Sequence, residues 1–309
     1  TDTFTVVLDS KPSGNVVFAL TDNDTDNSEI SYTPTTLTFT TSNWNSAQTV
    51  TVTGVNDSMD DGDISSGITL AINTGSTADS IYDTVSSQTV AVTNTDDDEA
   101  KLKWSVVSGD VSVDEAGSEV TSTTLLLDSQ PNGNVVVDAT VIDSSELTLG
   151  LGTTTTFTPS NWSIGQSISV RGANDNIDDG DVVSQLRITV NTSSTTDTTG
   201  YASLSAKNKN ITTRDDDTAG FTVTQSGGST SVTEAGSTDT FTVVLNTEPT
   251  GNVVFALTDN DTDNSEISYS PTALTFTAGN WNSAQTVTVT GVDDSIDDDN
   301  VTSVITVAI

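Results

Sequence analysis

The 309-residue chain contains no cysteine and no histidine, and it has only eight basic residues against 44 acidic ones. Without cysteine and histidine, neither a disulfide nor a Ser–His or Cys–His nucleophile pair can be built. The formal net charge of −36 would repel nucleic acid and anionic lipid and would attract cations. We therefore expect a protein that is not an enzyme, and whose partners include cations and exclude nucleic acid.

Long apolar runs and helical periodicity are also missing. No apolar run approaches the roughly 20 residues of a membrane-spanning helix, so we predict no membrane insertion of this segment. Apolar residues instead alternate with polar ones in residues 49–53 and 68–72, and the same alternation puts Phe4, Val6 and Leu8 on one face. A period of two residues is typical of half-buried strands in antiparallel sheets.

The chain consists of three similar segments. They align on the dipeptides Asn43-Trp44, Asn161-Trp162 and Asn280-Trp281, which are spaced 118 and 119 residues apart. Residues 1–72 and 238–309 agree at 56 of 72 positions. A period this long matches a whole domain. We therefore predict three modules, at residues 1–98, 99–217 and 218–309.

The phase of the repeat gives two further expectations. Glu115-Ala116-Gly117 and Glu234-Ala235-Gly236 each precede a Thr-rich strand, and no such tripeptide precedes the first one. Ile309 aligns with Ile72, so the third module has no counterpart of residues 73–98. We expect the first module to lack its opening strand, the third to lack its closing strands, and the chain to be part of a longer array.

Each module carries the same turn between two strands. The segments Pro12–Asn15, Pro131–Asn134 and Pro249–Asn252 place proline where φ near −65° is needed, and glycine where φ can become positive. About seven strands fit in a module, the number found in an immunoglobulin-like sandwich. The predicted fold class is therefore all-β, with tandem immunoglobulin-like antiparallel β-sandwich modules in an elongated array.

Clusters of acidic residues recur at the same phase in the modules. Ca²⁺ binds six to eight oxygen ligands, and the absence of histidine and cysteine excludes the usual zinc and copper ligand sets. Loops at one end of a sandwich are neighbours in space, which would bring distant acids together. The alternative is a set of solvated loop acids. The candidate ligands are Asp57, Asp60, Asp61, Asp63, Asp96, Asp97, Asp98, Glu115, Asp175, Asp178, Asp179, Asp181, Asp215, Asp216, Asp217, Glu234, Asp294, Asp297 and Asp298.

These residues resemble the Calx-beta repeat. The resemblance is carried by the Glu-Ala-Gly tripeptides, the Leu-Thr-Phe strand, the acidic run at residues 174–181 and the closing Asp215–Asp217. It implies a seven-stranded immunoglobulin-like fold with calcium sites at one end, as found in long bacterial surface proteins and adhesins. The positions that match the family's acids are Glu115, Glu234, Asp178, Asp179, Asp181, Asp96 to Asp98 and Asp215 to Asp217.

The chain departs from the Calx-beta pattern at two places. An acidic residue that often follows the Asp-Gly-Asp segment is replaced by Ile64, Val182 and Val301. The family's Asp-Tyr pair is Ser31-Tyr32 in the first module and Ser268-Tyr269 in the third. The number of ligands at each site is therefore left open.

A second candidate calcium loop occurs only in the outer modules. Its Asp-x-Asp-x-Asp spacing is typical of a calcium loop, but position twelve is Thr33 or Ser270 where an EF-hand has Glu. An ordinary polar loop is the alternative. The residues concerned are Asp22, Asp24, Asp26, Asp259, Asp261 and Asp263.

The recurring tryptophans Trp44, Trp162 and Trp281 favour a packing role over a sugar platform. Because the acids repeat with the modules, they do not resemble a single catalytic pair. We predict a structural extender of a secreted or cell-surface protein, with calcium ions and neighbouring modules as partners. Two alternatives stay open. One is an adhesive module that binds a surface glycan or a protein, and the other is a subunit of a filament of other copies.

Overall fold

The computed structural model describes residues 1–24, 28–105, 111–117, 121–260, 266–293 and 299–309. This part of the chain forms 23 β-strands and three single-turn 3-10 helices, arranged in six sheets. None of its helices is long and apolar enough to cross a membrane. The prediction of an all-β fold built from tandem sandwich modules is confirmed.

The first two sheets use only residues 2–94. One has the order β1-β5-β3 and the other the order β4-β2-β6-β7. The strands are β1 (Asp2–Val6), β2 (Val16–Asp22), β3 (Ile30–Thr33), β4 (Thr36–Phe39), β5 (Gln48–Gly54), β6 (Ile64–Ile72) and β7 (Gln88–Asn94), with a 3-10 turn at Tyr82–Thr84. The register pairs Phe4 with Val50 and Leu20 with Leu70, so apolar side chains share the inner faces.

The next two sheets use residues 102–214 and have nine strands, two more than predicted. Their orders are β12-β14-β10-β8 and β13-β11-β15-β16-β9. The strands are β8 (Leu102–Trp104), β9 (Val111–Asp114), β10 (Thr121–Leu127), β11 (Val135–Val141), β12 (Leu147–Leu149), β13 (Thr154–Phe157), β14 (Gln166–Gly172), β15 (Val182–Val190) and β16 (Lys207–Arg214), with a 3-10 turn at Tyr201–Ser203.

One strand pair departs from the antiparallel prediction. β9 pairs with β16 in parallel, and Val113 lies opposite Thr213. The opening segment contributes β8 to one sheet and β9 to the other, where β9 runs in the direction of β16. The opening segment thus forms two short edge strands, β8 and β9, where a single opening strand was predicted. The predicted number of about seven strands is therefore too low for this module.

The last two sheets use residues 221–308. Their orders are β17-β18-β22-β20 and β21-β19-β23. The strands are β17 (Phe221–Gln225), β18 (Thr238–Leu245), β19 (Val253–Asp259), β20 (Ile267–Ser270), β21 (Ala273–Phe276), β22 (Gln285–Gly291) and β23 (Ile305–Ala308), with a 3-10 turn at Ser226–Gly228. Their pairing reproduces that of the first module, with Phe241 opposite Val287 as Phe4 is opposite Val50.

Each pair of sheets encloses its own apolar core. Phe39, Phe157 and Phe276 are fully buried at equivalent positions. Trp44, Trp162 and Trp281 pack against the three cores, and this confirms their predicted packing role. Their backbone carbonyls accept equivalent hydrogen bonds from Leu8, Leu127 and Leu245 at 3.2, 3.2 and 3.1 Å.

The hairpin turns keep glycine for a different reason from the predicted one. Gly14 and Gly133 do not have positive φ. A Cβ added at Gly14 would lie 2.7 Å from the carbonyl oxygen of Ala78, and one at Gly133 would lie 2.7 Å from that of Thr196. The need for glycine is therefore steric, because a second backbone segment crosses directly over the turn.

A buried aspartate holds that crossing segment to the hairpin. Asp79, only 2% exposed, accepts hydrogen bonds from the backbone N–H (2.6 Å) and hydroxyl (2.9 Å) of Ser13. These bonds and those from Tyr82 and Ile81 lower the pKa of Asp79 to about 2. Asp197, 5% exposed, accepts the N–H of Asn132 at 3.0 Å in the second module.

Candidate metal centre

Three carboxylates meet at the opposite end of the second module. Glu115 follows β9, Asp175 lies in the loop between β14 and β15, and Asp217 follows β16. One oxygen from each lies within 4.8 Å of the others. Residues more than 100 positions apart are thus gathered as the sandwich predicted, because three strand ends meet at one edge.

Backbone hydrogen bonds fix the loops around this cluster. The N–H of Asp175 donates to Glu115 Oε1 at 2.7 Å, and the N–H of Gly180 donates to Asp215 Oδ2 at 2.7 Å. Asp215 Oδ1 also accepts the N–H of Asp217 at 2.8 Å. Gly180 has φ of 78°, a left-handed conformation that favours glycine. Hydrogen bonds within the protein and the glycine conformation therefore define the shape of the loop.

The electrostatics of the cluster disfavour a full set of charges. Glu115 is 4% exposed, and burial followed by the nearby Asp175 and Asp215 raises its pKa. Burial and neighbouring carboxylates also raise the pKa of Asp179 and of Asp217. Asp215 is the exception, since the N–H groups of Asp217 and Gly180 lower its pKa. A bound cation would remove the like-charge repulsion.

A buried glutamate that the sequence analysis did not single out as a ligand completes this end of the module. Glu146 is 8% exposed, and its pKa is raised by burial and then by Asp179. Its carbonyl accepts the N–H of Ala173 at 2.9 Å. Glu29 and Glu266 hold the equivalent positions, with equivalent bonds from Val55 (2.8 Å) and Val292 (3.0 Å). Their recurrence before an Ile or Leu is the signal that could have identified them.

The first module gathers a related cluster. Oxygens of Glu29, Asp57 and Asp61 lie within 4.8 Å of one another. They line a pocket of about 110 Å³ together with Asp96 to Asp98. The pKa of Asp61 is raised by burial and then by Asp57 and Glu29. No residue of this chain corresponds to Glu115 in this module.

Several predicted ligands have other roles here. Asp63 accepts the N–H of Asp96 at 3.1 Å, and Asp181 accepts that of Asp215 at 3.2 Å, so both brace the ends of the last strands. Asp60 accepts the N–H of Ala100, and Asp178 that of Ala219, both at 2.7 Å. Asp97 and Asp216 are exposed. Calcium coordination by these six residues stays a prediction.

The third module is described only in part at this end. Glu234 lies beside a wide cleft that is also lined by Glu266 and Asp299. Asp294, Asp297 and Asp298 lie outside the described residues. Among the described residues of this module, no three acidic side chains bring oxygens within 4.8 Å of one another.

The second candidate loop is only partly described as well. Asp24, 8% exposed, accepts the N–H groups of Glu29 and Ile30 at 2.9 Å each and so closes its own turn. Asp22 and Asp259 end strands β2 and β19. Asp26, Asp261 and Asp263 lie outside the described residues. A calcium role for this loop stays a prediction.

The oxygen atoms that could coordinate an ion in the two carboxylate clusters fit a hard cation. All are carboxylate oxygens, which suit Ca²⁺. In the described ranges, ion pairs join Lys101 with Glu99, Lys103 with Asp128, and Arg214 with Asp114, and none involves a cluster residue. The negative charge of each cluster is therefore not balanced by a basic side chain in this part of the chain.

Comparisons with known proteins find similarity of fold only. No protein-family model and no curated protein match the sequence. The chain is similar to domains 4 and 5 of the S-layer protein SbsC, at 12% identity over 64% of this chain and 70% of that one, with a TM-score of 0.28.

It is also similar to the calcium binding domain CBD12 of CALX1.1, at 15% identity over 60% of this chain and 72% of that one, with a TM-score of 0.26. A further similar structure is the Salmonella enterica SafA pilin in complex with the SafB chaperone, at 12% identity, 50% and 73% coverage and a TM-score of 0.25. At these values the similarities assign neither a family nor a function. Membership of the Calx-beta family stays a prediction.

Proposed function

We propose that this chain is a non-catalytic, calcium-stiffened extender segment of a secreted or cell-surface protein. The observation that carries the proposal is the recurrence of a carboxylate cluster without basic partners at the same end of the first two modules. A single charged loop is usually just solvated. Two clusters lie on equivalent loops, and one of them contains the buried Glu115. This recurrence favours binding of the same kind of ligand in both modules.

The residues assigned to the ion are those that share each cluster. In the second module they are Glu115, Asp175 and Asp217, and in the first they are Glu29, Asp57 and Asp61. We add three neighbouring carboxylates as further candidate ligands, Glu146 and Asp179 in the second module and Asp98 in the first. A bound Ca²⁺ supplies positive charge that offsets their mutual repulsion. The backbone N–H groups of Asp175 and Gly180 donate to the carboxylates of Glu115 and Asp215, and these bonds hold the loops in position.

Thermal unfolding tests this proposal. An ion that binds only the folded chain at about 100 times its Kd adds about 2.7 kcal/mol to the free energy of unfolding. We expect the melting temperature to rise markedly in millimolar calcium, to fall again with chelator, and to respond weakly to magnesium, which prefers a smaller, rigid octahedral site. Identical melting curves in calcium and in chelator would refute the proposal.

A second candidate function rests on the outer face of the second module. Gln185 exchanges hydrogen bonds with Asn208 and Asn210, both at 2.9 Å, and Arg187 lies exposed opposite Asn208. The equivalent positions in the first module are Gly67, Ala91, Thr69 and Thr89.

This polar face could recognise an acidic glycan through Arg187 and the amide groups. A glycan array run on the whole chain, beside its Arg187→Ala variant, tests this function. Selective binding that the substitution abolishes would favour an adhesive module. An array without any binding would contradict the glycan-binding function.

A further inference from the structure

The acidic loop of each of the first two modules also touches the module that follows. Asp60 Oδ2 accepts the backbone N–H of Ala100 at 2.7 Å. Two residues earlier, the carbonyl of Ser58 accepts the N–H of Gln130 at 2.5 Å. Ala100 lies just before the first strand of the second module, and Gln130 begins its Pro131 hairpin. Two points of the second module are therefore held by one loop of the first.

The second joint repeats both contacts. Asp178 Oδ2 accepts the N–H of Ala219 at 2.7 Å, and the carbonyl of Asn176 accepts the N–H of Glu248 at 2.7 Å. Glu248 precedes Pro249 as Gln130 precedes Pro131. The same two loop positions thus meet the same two positions of the next module at both joints.

The hairpin of the second module that receives this loop is braced from inside its own module. Next to Gln130, the carbonyl of Ser129 accepts the hydroxyl of the fully buried Tyr201 at 2.8 Å. Beyond Pro131, the N–H of Asn132 donates to Asp197 at 3.0 Å. A contact made on this hairpin therefore fixes the orientation of the whole module.

We propose that Asp60 and Asp178 are docking residues that set the orientation of the following module, and that they are not ion ligands. The clustered oxygens belong to Glu29, Asp57 and Asp61 in the first module and to Glu115, Asp175 and Asp217 in the second, and neither Asp60 nor Asp178 is among them. The acidic run therefore has two tasks, with neighbouring residues assigned to the ion and to the joint. Because both joints use the same pair of contacts, successive modules repeat one orientation. This inference does not depend on the calcium proposal.

Distance measurements between labels test the docking role. The chain has no cysteine, so Thr192→Cys and Asn282→Cys provide one exposed label on each side of the second joint. The distance distribution is measured by pulsed electron paramagnetic resonance, in calcium and in chelator. We expect a narrow distribution for the parent chain, a broadened one for Asp178→Ala under both conditions, and a narrow one for Asp178→Asn, whose amide oxygen still accepts the N–H of Ala219.

Asp216→Ala is the matched control, because it removes one exposed acid from the same end of the module without removing a described hydrogen bond. It should leave the distribution narrow. A narrow distribution for Asp178→Ala would overturn the proposal. So would a calcium affinity that falls much further in Asp178→Ala than in Asp216→Ala, since both variants remove one negative charge and only the loss of a ligand would add to that effect. Absence of any calcium effect would refute the proposed function alone and leave the docking result intact.

Discussion

The second module buries a carboxylate at each of its two ends, Asp197 beside the Pro131 hairpin and Glu115 beside the acidic loop. Asp197 faces N–H and hydroxyl donors of Asn132 and Thr199. Glu115 accepts one N–H and otherwise faces other carboxylates, and its pKa is raised by burial first and by these carboxylates second. Two acids that are buried to a similar extent therefore have different roles in the module. Donors make the first acid part of the fold, and fellow acids make the second a candidate site whose mutual repulsion a cation would offset.

The largest expected effect is at the hairpin end. Asp197→Ala leaves the N–H of Asn132 and the buried N–H and hydroxyl of Thr199 without this acceptor, and we expect it to lower the free energy of unfolding by about 1–3 kcal/mol. Because this end needs no ion, the loss should be the same in calcium and in chelator. Denaturant unfolding under both conditions measures it. A loss seen only in calcium would break the distinction between the two ends.

At the acidic end, the effect of Glu115→Gln on stability should have opposite signs in calcium and in chelator. The variant removes one negative ligand, so calcium affinity should fall on the order of tenfold. It also removes repulsion among buried carboxylates, so in chelator the variant should unfold at a higher temperature than the parent. Calcium titration and melting in chelator provide the two readouts. A variant that is less stable in chelator would show that Glu115 has a structural role like that of Asp197.

A matched glycine pair tests the crowding at the hairpin end. Gly133→Ala places a Cβ 2.7 Å from the Thr196 carbonyl oxygen, and we expect about 1–3 kcal/mol of destabilisation from overpacking. Among the described residues, no atom lies within 4 Å of a Cβ built on Gly251. Gly251→Ala should therefore be neutral. Equal effects at the two sites would argue against a steric requirement in the second module.

The smallest expected effect is the pH dependence of stability in chelator, to which Glu115 and Asp79 should contribute in opposite directions. Glu115 binds its proton more tightly in the folded chain than in the unfolded chain. The ionised carboxylate therefore destabilises the fold above its folded pKa, and this destabilisation disappears as pH falls towards the ordinary pKa of 4.5. Asp79, with a pKa of about 2, stabilises the fold above its ordinary value of 3.8, and this contribution is lost as pH falls through 2.

The melting temperature in chelator should therefore first rise and then fall on acidification. In calcium the first rise should disappear, because protons compete with the ion for the same oxygens. A monotonic fall from neutral pH in chelator would contradict the raised pKa of the clustered acids.

The fold and the position of the site were predictable from the sequence. Alternating residues such as Phe4, Val6 and Leu8 define inner faces, and a threefold repeat identifies which loops share an end. The recurring Asp57 and Asp175 lie in the clusters as predicted. These features are local or periodic, so a single sequence is sufficient to find them.

Other features depend on contacts between distant segments and were missed. Glu146 has the appearance of a loop residue in a single module, and its placement near Asp179 makes it part of the site. Asp178 and Asp179 are adjacent and chemically identical, yet Asp178 contacts Ala219 in the next module. Asp179 instead lies near the cluster, where burial and then the clustered Asp175 raise its pKa. The glycine requirement at Gly133 depends on a segment more than 60 residues away.

Calorimetric calcium titration of the whole chain tests the central claim most directly, with the parent compared with the double variant Asp57→Asn, Asp175→Asn. Each substitution keeps the side-chain size and removes one charge from a cluster. We predict saturable calcium binding by the parent, and loss of most of that binding in the double variant, which should stay folded. Binding of the same affinity and stoichiometry in both proteins, or no binding by the parent, would contradict the assignment of these clusters as calcium sites.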